Sequence, residues 1–245
     1  MKEVRGIILA AGRGRRMGGA TEFAPKCLQL VHGRPLLDHV MGAFDEVGIK
    51  KVAIVTGYRA QDISHRADVT FHNDQWSTTN MVASLRTADQ WLSTYPCVIS
   101  YSDIFYESKA VELLRAELLE TSSAELAVLY DPDWLTLWNK RFTDPLVDAE
   151  TFRLSDGRQV IEIGQLPSSL EEVEGQFMGV WSIVPSAWRA MKGLLDGLPA
   201  ALQESIDTTA LLQRWIAADL GEIRAVRYEG IWGEVDSVDD LAAYE

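Results

Sequence analysis

A chain of 245 residues with 47% hydrophobic and 24% charged side chains has the length and composition of one large α/β domain with a full core. No stretch approaches the ~18 consecutive apolar residues of a membrane span. The net charge of −13 argues against nucleic acid or an anionic membrane as partner, since both demand a basic surface.

Residues 4–10 form an almost continuous apolar run, the pattern of a strand buried on both faces of a parallel sheet. A glycine-rich loop follows at once. Pro35, Leu36, Leu37, Val40, Met41, Phe44 and Val47 then recur at helical spacing and stop at Gly48, with Pro35 in the first turn. Residues 51–56 and 69–71 read as strands, 81–92 as a helix, 97–101 as a strand, 108–119 as a helix and 125–130 as a strand. This alternation predicts an α/β fold, a Rossmann-like, doubly wound, mostly parallel sheet. Farther on, residues 152–155 and 159–163 flank Asp156-Gly157, a strong hairpin signal that predicts a small β insertion over about 131–178. Helical patterns at 187–195 and 208–218 and a strand at 223–228 follow. With no repeat, linker or low-complexity stretch, one domain is expected over 1–245, in two subregions, 1–130 and 131–245.

Cys27 and Cys97 lack any CxxC or Cys/His cluster, so they read as buried thiols rather than a disulfide or zinc site. The N-terminal segment is Gly/Arg-rich at Gly12 to Arg16, where a signal peptide would place its cleavage site, and a cytoplasmic location is the expectation. Charge is unevenly spread. Seven Lys and Arg against Glu3 and Glu22 give residues 1–34 a net +5, which leaves −18 for the remainder. A basic island on an acidic body suits one compact polyanion.

The island centres on LAAGRGRRM, Leu9 to Met17. Ala10, Ala11, Gly12 and Gly14 let backbone N–H groups approach a ligand and form an anion-binding concavity. GxGxxG is broken by Met17, and no GxxxxGK[ST] occurs, so neither a dinucleotide site nor a P-loop is supported. With Pro25-Lys26 ten residues beyond Arg16, the pattern resembles the nucleotidyltransferases that activate sugar phosphates, phosphocholine and related headgroups. It is most similar to their cytidylyltransferase branch. That resemblance implies a nucleotidyltransferase-type sheet, with 1–130 the nucleotide-binding half and 131–245 the acceptor-binding half. It assigns nucleotide contacts to Leu9, Ala10, Ala11, Gly12, Arg13, Gly14, Arg16 and Lys26. The family's Arg-Pro after the loop arginine is replaced here by Gly18-Gly19, which predicts a segment that orders over nucleotide.

Nucleotidyl transfer needs charge neutralised and the attacking and leaving oxygens held in line. Asp103 follows an apolar strand, at the carboxyl end where open sheets bind ligands, and Asp236 stands in GEVDSVDDL. The resemblance implies one metal-binding Asp at each place, making Arg16, Lys26, Asp103 and Asp236 the catalytic set and Mg²⁺ the cofactor. The residues also allow a simpler reading of the second motif, a capping box of Ser237 and Asp240 on a final helix, with Asp239 and Asp240 as exposed helix charges. In WSTTNMVASL, Thr79, Asn80 and Ser84 resemble the family's pyrimidine contacts, though Thr78 or Thr79 could equally cap a helix.

For the acceptor, the stretch from Glu162 to Trp181, with Gly179 allowing close approach, resembles members that handle amino-acid-like phosphates or phosphonates, and Tyr101 and Trp232 are further candidates. An aromatic wall of Trp134, Trp138, Trp181 or Trp232 would suit a quaternary ammonium. The expected substrates are therefore CTP, or another nucleoside triphosphate, and a small phosphate or phosphonate acceptor such as phosphocholine, 2-aminoethylphosphonate or phosphoglutamine. The expected form is a monomer or homodimer. Two alternatives stay open: a sugar-1-phosphate nucleotidyltransferase using UTP, GTP or dTTP, and a non-catalytic nucleotide-binding regulatory protein.

Overall fold

A computed structural model describes residues 3–120, 125–156 and 158–244. The strands are β1 (Arg5–Ala10), β2 (Leu30–Val31), β3 (Arg34–Pro35), β4 (Val52–Thr56), β5 (Val69–His72), β6 (Cys97–Tyr101), β7 (Ile104–Tyr106), β8 (Leu126–Asp131), β9 (Phe152–Ser155), β10 (Gln159–Ile163), β11 (Gln176–Ile183), β12 (Ile223–Arg227) and β13 (Trp232–Glu234). The helices are α1 (Leu36–Glu46), α2 (Met81–Arg86), α3 (Asp89–Leu92), α4 (Lys109–Leu119), α5 (Trp134–Arg141), α6 (Pro185–Asp196), α7 (Ala200–Ser205), α8 (Thr208–Ala217) and α9 (Val238–Ala243).

Nine strands form one mostly parallel sheet in the order β5-β4-β1-β6-β11-β8-β12-β10-β9. β5, β4, β1 and β6 run parallel, β8 and β12 run parallel, and β11 lies antiparallel between β6 and β8. Side chains alternate across β1. Ile7, Leu9 and Ala11 enter a core with Trp181, Trp188 and Trp215, while Ile8 and Ala10 enter the opposite one with Phe44, Leu114 and Trp138. Burial on both faces is why the run is apolar throughout.

This topology positions the site. β1 lies between β4 and β6, and Leu9 pairs with Tyr101, so the loop after β1 and the turn after β6 leave the sheet side by side. A crevice at the carboxyl ends of strands, where their order reverses, is where such sheets bind ligands.

The stretch 131–178, expected to be a β insertion, opens with helix α5 instead. Its hairpin, β9–β10, adds to the main sheet through the pairing of Gln159 with Arg224 on β12. Gly157 of the expected turn lies outside the described residues. β11 escaped the sequence reading because all eight of its residues are buried, leaving no alternation, and Gly179 interrupts it at φ +73°. The helix expected over 81–92 divides into α2 and α3, where the Thr87 hydroxyl donates to the Ser84 carbonyl at 2.7 Å. Among the described residues no helix is long and apolar enough to cross a membrane.

Candidate active site

The loop leaving β1 turns at Gly14, whose φ of +73° is left-handed. A Cβ there would stand 2.7 Å from Lys26 Cβ, so the bare backbone makes room for the lysine stem. A 3₁₀ segment, Arg15–Thr21, follows. Met17, where a dinucleotide motif would have its third glycine, is 2% exposed and packs with Val31, Leu36, Phe105 and Val235. It anchors the turn while leaving its neighbour Arg16 exposed. Thr21 Oγ1 donates to the Gly14 carbonyl at 3.1 Å, and the Tyr58 hydroxyl lies 2.6 Å from the Glu22 carbonyl oxygen, closing the loop.

Asp103 and Asp236 meet because β7 and β13 pair, with Ile104 opposite Glu234 and the Val235 N–H donating to the Asp103 carbonyl at 2.9 Å. Lys26 Nζ sits between the two side chains, 2.8 Å from Asp103 Oδ2 and 2.6 Å from Asp236 Oδ1. Arg16 reaches the same Asp236 oxygen at 2.8 Å. From behind, the fully buried Arg141 guanidinium holds Asp236 Oδ2 at 3.3 Å, Glu234 at 3.3 Å and Asp240 at 2.9 Å. The capping box on α9 is also present, and the Asp240 carboxylate accepts the Asp236 N–H at 2.8 Å. Cap and acidic cluster are thus one structure. Asp240, expected as an exposed charge, is buried because it serves both.

The electrostatics follow from burial and neighbours. Burial pulls the Lys26 ammonium down, but Asp103 and Asp236 more than offset this, and its pKa is raised. Burial pushes Asp236 up, yet Lys26, Arg16 and Arg141 hold it below the ordinary aspartate range. Glu234 is pushed up by burial and by the charge of Asp236. Mg²⁺ takes hard oxygen ligands from one or two carboxylates. Asp103 and Asp236 offer that donor set, and both already converge on one positive charge, the Lys26 ammonium; the residues fit the ion. Asp148, Glu234 and Asp236 form a further acidic trio, with one carboxylate oxygen from each within 4.8 Å of the others.

A cleft of about 360 Å³ opens in front of this cluster. Leu9, Ala11, Gly12, Gly14, Arg16, Lys26, Thr79, Asn80 and Ser84, expected at the nucleotide, line it together with Asp103 and Asp236, and so does Tyr101, expected at the acceptor. Two expected residues do not. Ala10 points into the opposite core by strand alternation, and Arg13 turns aside over the Tyr58 ring, 5.6 Å from its centre. Arg15, Cys27, Trp76, Met81 and Ser102 line the cleft as well; Arg15 had a signal in its place in the basic loop, and Trp76 and Met81 in the WSTTNMVASL stretch. Asn80 itself caps α2, its Oδ1 accepting the Met81 N–H at 2.8 Å, so neither Thr78 nor Thr79 is the cap. Asn73 Nδ2 donates to Ser84 Oγ at 2.9 Å, which leaves the Ser84 hydroxyl proton free to donate.

Of the expected acceptor residues, Tyr101 and Gly179 line a second, adjoining hollow. Glu162, Trp181 and Trp232 line neither space. Glu162 lies on β10, 3.9 Å from Arg153. Trp181 is wholly buried in the sheet core, and Trp232 donates its ring N–H to Asp131 at 2.8 Å. Trp134 and Trp138 are buried beside Trp232, so the four do not form an aromatic wall at the site. Large rings are more valuable in the core than their motif positions suggested.

The MobA-like NTP transferase domain matches residues 6–168. The chain belongs to that family. It is 30% identical to a CTP:phosphoglutamine cytidylyltransferase of Campylobacter jejuni, with 96% of each chain covered. It is 23% identical to a 2-aminoethylphosphonate cytidylyltransferase of Lancefieldella rimae, covering 100% of this chain and 93% of that one. The fold matches that of the inositol-1-phosphate CTP transferase from T. maritima with a TM-score of 0.77 at 14% identity, over 99% of this chain and 95% of that one.

Proposed function

We propose that this protein transfers CMP from CTP to a small phosphate or phosphonate acceptor and releases pyrophosphate. The observation that carries the reading is the Lys26 ammonium held between Asp103 and Asp236 at the mouth of the glycine-rich turn. Relatives named as cytidylyltransferases, matching over nearly the whole length, support it.

In this reading the N–H groups around Gly12 and Gly14 cradle the phosphates, and Arg15 and Arg16 neutralise the outer ones. Ser84 and Asn80 face the base. Asp103 and Asp236 would hold Mg²⁺, which supplies positive charge to the α-phosphate when bound. An acceptor oxygen forms the new bond to the α-phosphorus as the bond to the bridging oxygen of pyrophosphate breaks, and Lys26 and Arg16 offset the charge that develops. No general base is called for, because the acceptor oxygen is already anionic.

The test is pyrophosphate release with CTP, UTP, GTP and dTTP, each against phosphocholine, 2-aminoethylphosphonate, phosphoglutamine and glucose 1-phosphate. CTP paired with one of the first three should dominate. Preference for glucose 1-phosphate with another triphosphate would replace this reading with sugar activation. Tight nucleotide binding without pyrophosphate would make the protein a sensor.

A further inference from the structure

Beside the nucleotide cleft lies a hollow of about 210 Å³ that shares Arg16, Met81, Tyr101 and Asp236 with it. That is below the roughly 300–1,000 Å³ of ordinary ligand pockets, so its occupant is small. Gly179, at φ +73°, keeps its floor open, since a Cβ there would stand 2.5 Å from the Tyr101 ring.

The charge around the hollow is one-sided. Five of the residues lining it are acids, and Arg16 alone is basic. Arg16 is already engaged by Asp236 and Asp148. Glu150 is held only by the Thr209 hydroxyl at 3.3 Å, and Asp207 by that hydroxyl and the Ala210 N–H. Among the described residues neither pairs with a Lys, Arg or His. Burial pushes the Glu150 carboxyl upward, as expected of an acid without a cationic partner.

A second observation is independent of the acids. Gln176 lines the same hollow, is 8% exposed, and its Oε1 is a buried acceptor without a hydrogen-bond partner. A buried acceptor left unmade is costly and calls for an N–H.

We propose that this hollow is the subsite for an ammonium group on the acceptor, with Gln176 Oε1 accepting an N–H and Glu150 and Asp207 supplying the counter-charge. The inference rests on the CMP-transfer reading for the other end of the acceptor, whose phosphate or phosphonate then lies at the Arg16 wall shared with the cleft. It selects a primary amine. A trimethylammonium has no N–H for Gln176 and is held best by aromatic faces, which the tryptophans do not supply here.

Calorimetric titration in EDTA, with and without CTP, compares 2-aminoethylphosphonate, ethylphosphonate and phosphocholine. The aminoalkyl compound should bind at least about tenfold tighter than either of the others, and Gln176→Leu and Glu150→Gln should each remove most of that margin. Should the buried Gln176 variant fail to fold, Glu150→Gln carries the comparison. Equal affinity for the three compounds, a preference for phosphocholine, or no detectable binding of any overturns the inference. Pyrophosphate release with Mg²⁺ is read separately. A protein that turns over without regard to the amine keeps its proposed function and loses this subsite, whereas one that selects the amine yet releases no pyrophosphate does the reverse.

Discussion

Replacing Lys26 with Met removes the single cation shared by Asp103 and Asp236 while keeping the length of an unbranched side chain. Deleting one partner of a buried ion pair costs about 3–5 kcal/mol. Here the remaining charges are partly compensated. The Asp103 side chain is 28% exposed and regains water, and Asp236 keeps Arg16 and Arg141. We therefore expect about 2–3 kcal/mol, or a fall in Tm of about 4–12 °C for a chain of this size. Far-UV circular dichroism melts in EDTA at neutral pH would measure it. Asp236 is held below its ordinary pKa, so its contribution is complete above the unfolded value near ~3.9 and disappears as pH falls through the lower folded value. The gap between wild type and Lys26→Met should accordingly narrow on acidification below about pH 4. Mg²⁺ should raise the melting temperature of the variant more than that of the wild type, because the ammonium no longer competes for the carboxylates. A variant that melts with the wild type in EDTA, or responds to Mg²⁺ no more strongly, would show that Lys26 is not their counter-charge.

Three further outcomes are expected. Asp103→Ala should abolish pyrophosphate release and lower the Tm by less than Lys26→Met does, because Lys26 keeps Asp236 at 2.6 Å; a fully active variant would refute the metal assignment. Nothing lies within 4 Å of a Cβ built on Gly12, whereas at Gly14 it meets Lys26 under a positive φ. Gly12→Ala should therefore weaken CTP binding at unchanged Tm, and Gly14→Ala should cost about 1–2 kcal/mol of stability as well; equal melts for the two would contradict the loop geometry. Burial pushes both Cys27 and Cys97 thiols up to about 12, so neither should react with a thiol reagent at pH 8 until denaturant is added, and rapid labelling of the native protein would count against the packing.

Much was legible from residues alone. Arg16, Lys26 and the two aspartates are singled out by family resemblance, whereas the apolar run of β1 and the glycine turn carry local signals: continuous hydrophobicity marks a strand buried on both faces, and small residues mark close backbone approach. These short-range properties depend only on neighbours in the chain. β11, α5 and the acidic hollow beside the cleft did not announce themselves in this way. Gln176, Glu150 and Asp207 come from three separate segments and acquire meaning only because those segments converge on one hollow. The same holds for Arg141, which reads as one more charge at a helix end until packing buries it against Asp236 and Asp240. The tryptophans err in the opposite direction, since a ring that looks like a ligand wall in sequence is worth more in the core. Sequence determined the doubly buried strand and the glycine turn with its basic residues, because those signals reside in the local pattern of side chains. Only the tertiary structure decided which acids stand without a cationic partner, because pairing and desolvation depend on what the fold brings alongside.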